Sequence, residues 1–189
     1  MRLLNHFVLF IGLLVLVACS PSKKAAETPI PEPPPDRKLG EGEPAQGSIN
    51  GKAWEFKSGR AFVYRKYRTN YLVIQLWGDK FEDPCKEKTG SVLQVRLTAP
   101  QQMATWMIAP EDPFNSNLSI FFTDLDFQPQ PRDNMRADLG EISFGIINKF
   151  EVHGYLNGSF KNPKVGGTHV AGDFAVPLCQ ESASFGDNF

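Results

Sequence analysis

The sequence predicts an all-β domain, either an antiparallel β-sandwich or a flattened barrel, with about eight or nine strands. Three observations indicate this fold class. From Gly47 onward, short apolar runs alternate with clusters of Gly, Asn, Asp and Pro, which is typical of strands joined by turns. Within the runs, apolar residues recur at every second position, as expected for sheets with one buried face. No segment carries a sustained apolar stripe with the period of a helix.

The predicted elements follow in chain order. Asn50-Gly51, between Ile49 and Trp54, is a typical two-residue hairpin sequence and predicts a hairpin at the start of the domain. Each later strand is expected to place its apolar residues on one face; these sets are Leu72/Ile74/Leu76, Leu93/Val95/Leu97, Leu118/Ile120/Phe122, Ile142/Phe144/Ile146, Val152/Leu156 and Val170/Phe174/Val176/Leu178. Polar turns are expected over 65–70 and 161–167. The segments 100–107 and 129–138 are compatible with single turns of helix.

Two segments precede the domain, which is predicted over 47–189. Residues 1–18 contain an apolar run from Phe7 to Val17. This run is shorter than the roughly 20 residues of a membrane-spanning helix, and it has the length of the apolar region of a secretory signal peptide. Residues 19–46 are rich in proline and poor in large aliphatic residues. Such a segment buries too little apolar surface to fold, so we expect an extended, disordered tether.

The residues Leu16-Val17-Ala18-Cys19 resemble the lipobox of bacterial lipoproteins. The resemblance implies cleavage before Cys19, a lipid on its thiol, and attachment to a membrane of the bacterial cell envelope. Ser20 is not the aspartate that marks retention in the inner membrane of enteric bacteria. The resemblance therefore implies the outer membrane, at its periplasmic face or at the cell surface.

Two further segments, Gly47 to Trp54 and Val170 to Val176, resemble parts of poorly characterised all-β bacterial lipoproteins. In those proteins a hairpin with the sequence NGK followed by Trp opens the domain, and a strand containing Gly-x-Phe lies near its end. The resemblance implies an all-β fold and no particular activity.

The cysteine content also has a simple explanation in an exported protein. The chain has three cysteines, and an odd number leaves one unpaired. If Cys19 carries lipid, Cys85 and Cys179 remain, and we expect them to form a disulfide in an oxidising compartment. A metal site is the alternative, but the two cysteines lack the short spacing typical of zinc ligands.

Charge and motifs exclude several function classes. The chain from Cys19 onward has 19 basic and 21 acidic residues, a formal charge of −2, which gives no electrostatic reason to expect a nucleic-acid partner. The sequence contains neither a Gly-x-Ser-x-Gly elbow nor a phosphate-binding Gly-Lys-[Ser/Thr] loop. We therefore expect no cofactor.

Two groups of residues are candidates for a metal site. His153 is expected to share a strand face with Glu151, and a carboxylate beside an imidazole can orient a base or support a metal ligand. If the last two strands pair, His153, His169 and Asp173 could approach each other and bind zinc or copper. The alternative is a solvated polar strand face. Asp124 and Asp126 form a weaker candidate for calcium, or else an acidic strand end.

The preferred candidate for a binding surface is a basic and aromatic cluster, Arg65, Lys66, Tyr67 and Arg68. Arg60, Phe62, Tyr64 and Tyr71 flank it. Cations interleaved with aromatic residues can bind anionic glycans, phospholipid head groups or single-stranded nucleic acid. The alternative is that the charges only keep the turn at the hairpin tip soluble.

These observations predict a lipid-anchored envelope protein with a non-enzymatic binding or structural role and a protein or glycan partner. One alternative is a metal-binding protein or metal-dependent hydrolase that uses His153 and His169. Another is an inhibitor or immunity-type lipoprotein.

Overall fold

The computed structural model describes residues 42–88, 90–109, 117–127, 135–161 and 167–180. The predicted signal peptide, the lipidation site at Cys19 and most of the predicted tether lie outside the described residues.

The described residues form eleven β-strands. In chain order they are β1 Gln46–Ile49, β2 Lys52–Glu55, β3 Ser58–Lys66, β4 Thr69–Trp77, β5 Leu93–Pro100, β6 Thr105–Ile108, β7 Ser119–Asp124, β8 Met135–Arg136, β9 Leu139–Ile147, β10 Glu151–Phe160 and β11 Thr168–Pro177. The predicted fold class is confirmed. The strand number is higher than predicted because β6 and β8 lie in the two segments, 100–107 and 129–138, that are compatible by sequence with single turns of helix. Among these residues no helix is long and apolar enough to span a membrane.

The strands form two antiparallel sheets. Sheet A has the order β2-β1-β11-β10-β9-β6, and sheet B has the order β3-β4-β5-β7-β8. Gly59 of β3 lies against Val176 at one end of the β10–β11 hairpin, whereas Ile120 of β7 lies against Gly158 near the other end. Moving across sheet B from β3 to β7 therefore corresponds to moving along the strands of sheet A from one end to the other. The strands of the two sheets thus cross at a steep angle, as in orthogonal β packing.

The core lies between the sheets and follows the predicted alternation, with one exception. Leu72, Ile74 and Leu76 are fully buried, as are the inward residues of most other predicted strands. In β9, however, the register shifts opposite His153 and Gly154. This bulge turns Ile146 outward, where it is 39% exposed, and Ile147 packs against the core in its place. The prediction that Ile146 shares the buried face of Ile142 and Phe144 was wrong for this reason.

A disulfide between Cys85 and Cys179 links the loop after β4 to the end of β11, as predicted, with 5.6 Å between the Cα atoms. The loop runs over the outer face of sheet B and covers Trp77, which is 1% exposed and packs edge-on against Phe81. The backbone amide of Cys179 also donates to the carbonyl of Ala61 in β3. The disulfide thus links the long loop to the end of the last strand, and the hydrogen bond links that end to the edge strand β3.

The folded domain includes residues 42–46, which the composition assigned to the tether. Ala45 is fully buried, and its amide donates to the carbonyl of Asp173 at 2.8 Å, while the amide of Asp173 donates to the carbonyl of Glu43 at 2.9 Å. At Gly172 φ is +135°, and a Cβ there would lie 2.5 Å from the Cα of Ala45. The glycine thus lets the segment before β1 run directly against β11.

Candidate functional site

The predicted basic and aromatic cluster lies at the tip of the β3–β4 hairpin. Its two nine-residue strands pair without interruption from Ser58 and Trp77 to Lys66 and Thr69. The turn is therefore Tyr67-Arg68 alone, tighter than the six-residue turn expected over 65–70. Here "hairpin tip" means residues 64–71, from Tyr64 to Tyr71, which also pair with each other across the strands.

Both turn residues have a left-handed backbone, with φ of 48° at Tyr67 and 74° at Arg68. This is the pattern of a type I′ turn, which strongly favours Asn-Gly because side chains with a Cβ are strained there. The β1–β2 hairpin of the same chain supplies the comparison, since Asn50 and Gly51 have φ of 53° and 76°. The two turns share one backbone geometry, but only the β1–β2 turn has the residues that this geometry prefers.

The side chains of the hairpin tip point to solvent. Tyr67 is 91% exposed and Tyr64 is 45% exposed, and Arg65 and Arg68 are both exposed. The ammonium group of Lys66 lies 5.9 Å from the ring centre of Tyr67 and donates to Asn117 Oδ1 at 3.3 Å. The hairpin tip therefore presents an exposed tyrosine together with two exposed arginines and one lysine beside the tyrosine ring.

A second turn lies beside the hairpin tip. Residues 101–104 carry the chain from sheet B to sheet A, and the amide of Gln101 donates to the carbonyl of Asn70 at 2.9 Å. Met103 in this crossover is 71% exposed. We call the combination of the hairpin tip and Met103 the tip surface.

Arg60 and Phe62, which flank the cluster in the sequence, do not belong to the tip surface. The guanidinium of Arg60 lies 4.8 Å from the ring centre of Phe62 and donates to Gln75 Oε1 at 2.7 Å. It also donates to the carbonyls of Pro84 and Glu87 in the covering loop. Burial lowers the pKa of Arg60, and the side chain fastens the disulfide loop to sheet B.

The metal site predicted from His153, His169 and Asp173 is not formed. In the β10–β11 pairing, His153 lies opposite Ala175, whereas His169 lies opposite Ser159. Ser159 is six residues from His153 along β10, or roughly 20 Å at about 3.3 Å per residue. Two ligands of one metal ion with bonds near 2 Å cannot be that far apart. The prediction was wrong because strand parity gives the shared face but not the register.

Each of these three side chains has a local partner instead. His153 Nε2 lies 3.0 Å from Glu151 Oε2, and this contact lowers the pKa of Glu151. His169 Nε2 lies 3.2 Å from Asn157 Oδ1. The carboxylate of Asp173, which is 5% exposed, accepts the amide hydrogen of Gly42 at 2.8 Å.

Asp124 also has a structural role. Its side chain is 1% exposed and lies 2.9 Å from Lys52 Nζ, and it accepts hydrogen bonds from Asn50 Nδ2 at 3.1 Å and from the amide of Asp126 at 3.1 Å. Burial raises the pKa of Asp124, but the hydrogen bonds from Lys52 and Asn50 outweigh this effect and leave the pKa below its ordinary value. The carboxylate thus ties the β1–β2 turn in sheet A to β7 in sheet B.

The structure also contains a cleft that no sequence motif predicts. A cleft of about 810 Å³ lies at the end of sheet B opposite the hairpin tip; it is lined by residues that include Gly47, Lys52, Trp54, Lys57, Gly78, Asp79, Ser91, Leu93 and Asp126. These residues come from distant segments and share no motif, so only the fold brings them together. Their charges are mixed, and the lining favours no single ligand class.

Within the described ranges, no group of three or more His, Cys, Asp or Glu side chains is arranged to hold a metal ion. No protein-family model, curated protein or solved structure matches the chain.

Proposed function

We propose that this chain is a lipid-anchored protein of the bacterial envelope whose domain is a non-enzymatic binding module and makes contact through the tip surface. The proposal rests on one observation above the others: Tyr67 and Arg68 occupy two consecutive left-handed positions, with φ of 48° and 74°. Non-glycine residues in this region cost stability, and they persist where the surrounding structure or a function maintains them.

Packing does not maintain these residues. Tyr67 is 91% exposed and therefore contributes almost no buried apolar area to the fold. Arg68 is also exposed. A residue pair that weakens the turn and adds nothing to the core is best explained by a contact that it makes outside the domain.

Export is supported by the disulfide and by the N-terminal sequence. The Cys85–Cys179 bond closes a separation of 94 residues, and such bonds persist in oxidising compartments such as the bacterial periplasm. The lipobox-like Leu16-Val17-Ala18-Cys19 accounts for the remaining cysteine. The metal-dependent alternative loses its basis, because His153 and His169 lie far apart.

The test uses the chain from Ser20 onward, which lacks the lipidated cysteine, mixed with isolated bacterial envelopes. The variant Tyr67→Asn/Arg68→Gly gives the β3–β4 turn the residues of the β1–β2 turn while keeping its backbone geometry. We expect the wild type to sediment with envelopes and the variant to lose at least tenfold in affinity, the size of effect expected when two central contact residues are lost.

The matched control is Lys57→Gln/Lys80→Gln, which removes two exposed cations near the opposite end of sheet B. This control should bind envelopes like the wild type. Equal binding by the turn variant and the wild type, or no binding by either, would contradict the proposal.

A further inference from the structure

We infer that the tip surface docks onto a membrane with anionic phospholipid head groups. This inference rests on the proposed function and names the ligand of the same site. In this arrangement the lipid anchor attaches the chain to the membrane, and the domain also contacts the bilayer, with Tyr67 and Met103 at the level of the head groups.

Charge supports this partner. The hairpin tip, residues 64–71, includes three cations, Arg65, Lys66 and Arg68, and no acidic residue, and the crossover 101–104 contains no charged residue. Arg65 and Arg68 are exposed. A Lys or Arg near an anionic membrane surface contributes about fivefold to binding, so a small cluster gives measurable affinity.

The shape of the hairpin tip favours a bilayer over a glycan. The last pair between β4 and β5 is Tyr71 with Pro100, so the turn Tyr67-Arg68 and the adjoining ends of β3 and β4 extend past β5 as a two-stranded ribbon, flanked by Gln101 and Asn117. β3 forms the edge of sheet B among the described residues. A convex ribbon can enter a head-group layer, whereas a sugar chain is usually held in a groove, and the described cleft lies at the opposite end of the sheet.

The exposed apolar groups suit an interface between water and lipid. Tyr67 and Tyr64 carry an aromatic ring with a polar hydroxyl, and tyrosine is enriched at this depth of membranes. Met103, which is 71% exposed, adds a flexible apolar side chain in the adjoining crossover. Cations with long aliphatic stems, such as Arg65 and Arg68, can keep their charge among the head groups while the stems contact lipid.

The anchor makes weak affinity sufficient. Between Cys19 and the first described residue, Gly42, lie residues 20–41, which span at most roughly 70 Å at about 3.1 Å per residue. A domain held within this distance has an effective concentration near the membrane in the millimolar range.

The experiment measures sedimentation of the unlipidated chain from Ser20 with two kinds of vesicle: equimolar phosphatidylglycerol and phosphatidylcholine, and phosphatidylcholine alone. We expect binding to the first only, weakened by added salt. Arg65→Gln/Arg68→Gln should reduce binding about 25-fold, and Lys57→Gln/Lys80→Gln should leave it unchanged. In Tyr67→Trp/Trp106→Phe, brominated lipid should quench the new indole, because the two remaining tryptophans, Trp54 and Trp77, are buried.

Three outcomes would overturn the inference: no binding to anionic vesicles, equal binding to phosphatidylcholine alone, or equal loss in both double variants. If the chain binds purified cell-wall glycan, loses this binding when Tyr67 and Arg68 are replaced, and does not bind vesicles, the proposed function stands and the membrane inference fails. If the turn variant still binds envelopes like the wild type, the proposed function itself fails.

Discussion

Replacing Tyr67-Arg68 by Asn-Gly is expected to stabilise the domain. The backbone of the turn already matches that of Asn50-Gly51, because the φ values differ by only a few degrees, 48° against 53° and 74° against 76°. A left-handed residue with a Cβ costs about 1–2 kcal/mol, and asparagine costs less. The new glycine loses about 0.5–1 kcal/mol of that gain, because it adds freedom to the unfolded chain.

The net expectation is therefore a gain of about 1 kcal/mol, because replacing the 91%-exposed Tyr67 sacrifices little buried surface. For a domain of this size, a gain of 1 kcal/mol corresponds to a rise in Tm of roughly 4 °C. Urea unfolding followed by circular dichroism gives the free energy of unfolding, and calorimetry gives Tm.

The matched control is the reverse change at the equivalent position, Gly51→Arg, which puts arginine at φ 76°. It should lose stability by about 1 kcal/mol. If Tyr67→Asn/Arg68→Gly were no more stable than the wild type and Gly51→Arg were tolerated, the left-handed backbone of these turns would carry no such cost, since both changes probe the same backbone strain.

Three further predictions concern the described fold. Cys85→Ser/Cys179→Ser should lower the free energy of unfolding by about 4–5 kcal/mol, because the bond closes a separation of 94 residues; denaturant titration with and without reductant checks this, and a wild type that is insensitive to reductant would contradict it. Asp124→Asn should cost about 1–3 kcal/mol, as expected for a buried charged acceptor, whereas Asp126→Asn, 69% exposed and 3.8 Å from Lys52, should cost less than about 0.5 kcal/mol. The pKa of Asp124 is lowered in the folded state, so the stability that its carboxylate contributes is present above the unfolded pKa of about 3.9 and is lost as pH falls through the lower folded pKa. The free energies of unfolding of wild type and Asp124→Asn should therefore converge in acid. A constant difference between them in urea titrations below the folded pKa would contradict this expectation. Gly172→Ala should destabilise the domain by at least about 2 kcal/mol, because its Cβ would lie 2.5 Å from the Cα of Ala45; calorimetry measures it, and Gly167→Ala, with no atom within 4 Å of the new Cβ, is the tolerated comparison.

The fold class could be predicted because it depends on local sequence patterns, namely the alternation of apolar residues and the residue types of the turns. Alternation in Leu72-Ile74-Leu76 and in the later runs predicts which face each strand buries, and Asn50-Gly51 predicts a hairpin from backbone preference alone. The disulfide followed from counting cysteines. These inferences need no knowledge of which strands become neighbours.

Predictions failed where partners distant in the sequence decide the outcome. The bulge that turns Ile146 outward arises from pairing with β10, and the burial of Ala45 arises from its contact with β11. The metal hypothesis failed for the same reason, since His153 and His169 share a face but their separation is set by register. The structure of β6 is likewise imposed by its pairing with β9.

The candidate binding surface could be predicted only in part. Its residue types were visible in Arg65-Lys66-Tyr67-Arg68, but the sequence did not distinguish a functional tip from a charged turn that maintains solubility. The positive φ at Tyr67 and Arg68 favours the functional interpretation that we propose, because Asn-Gly would be equally soluble and less strained.

The central claim is that the residue at position 67 contacts the envelope when the chain is anchored. The most direct measurement places a photo-crosslinking amino acid at position 67 in the full-length chain in living bacteria, with position 57 as the control at the opposite end of sheet B. We expect light-dependent adducts with envelope components at position 67 and few at position 57. Adducts at position 57 with none at position 67 would contradict it.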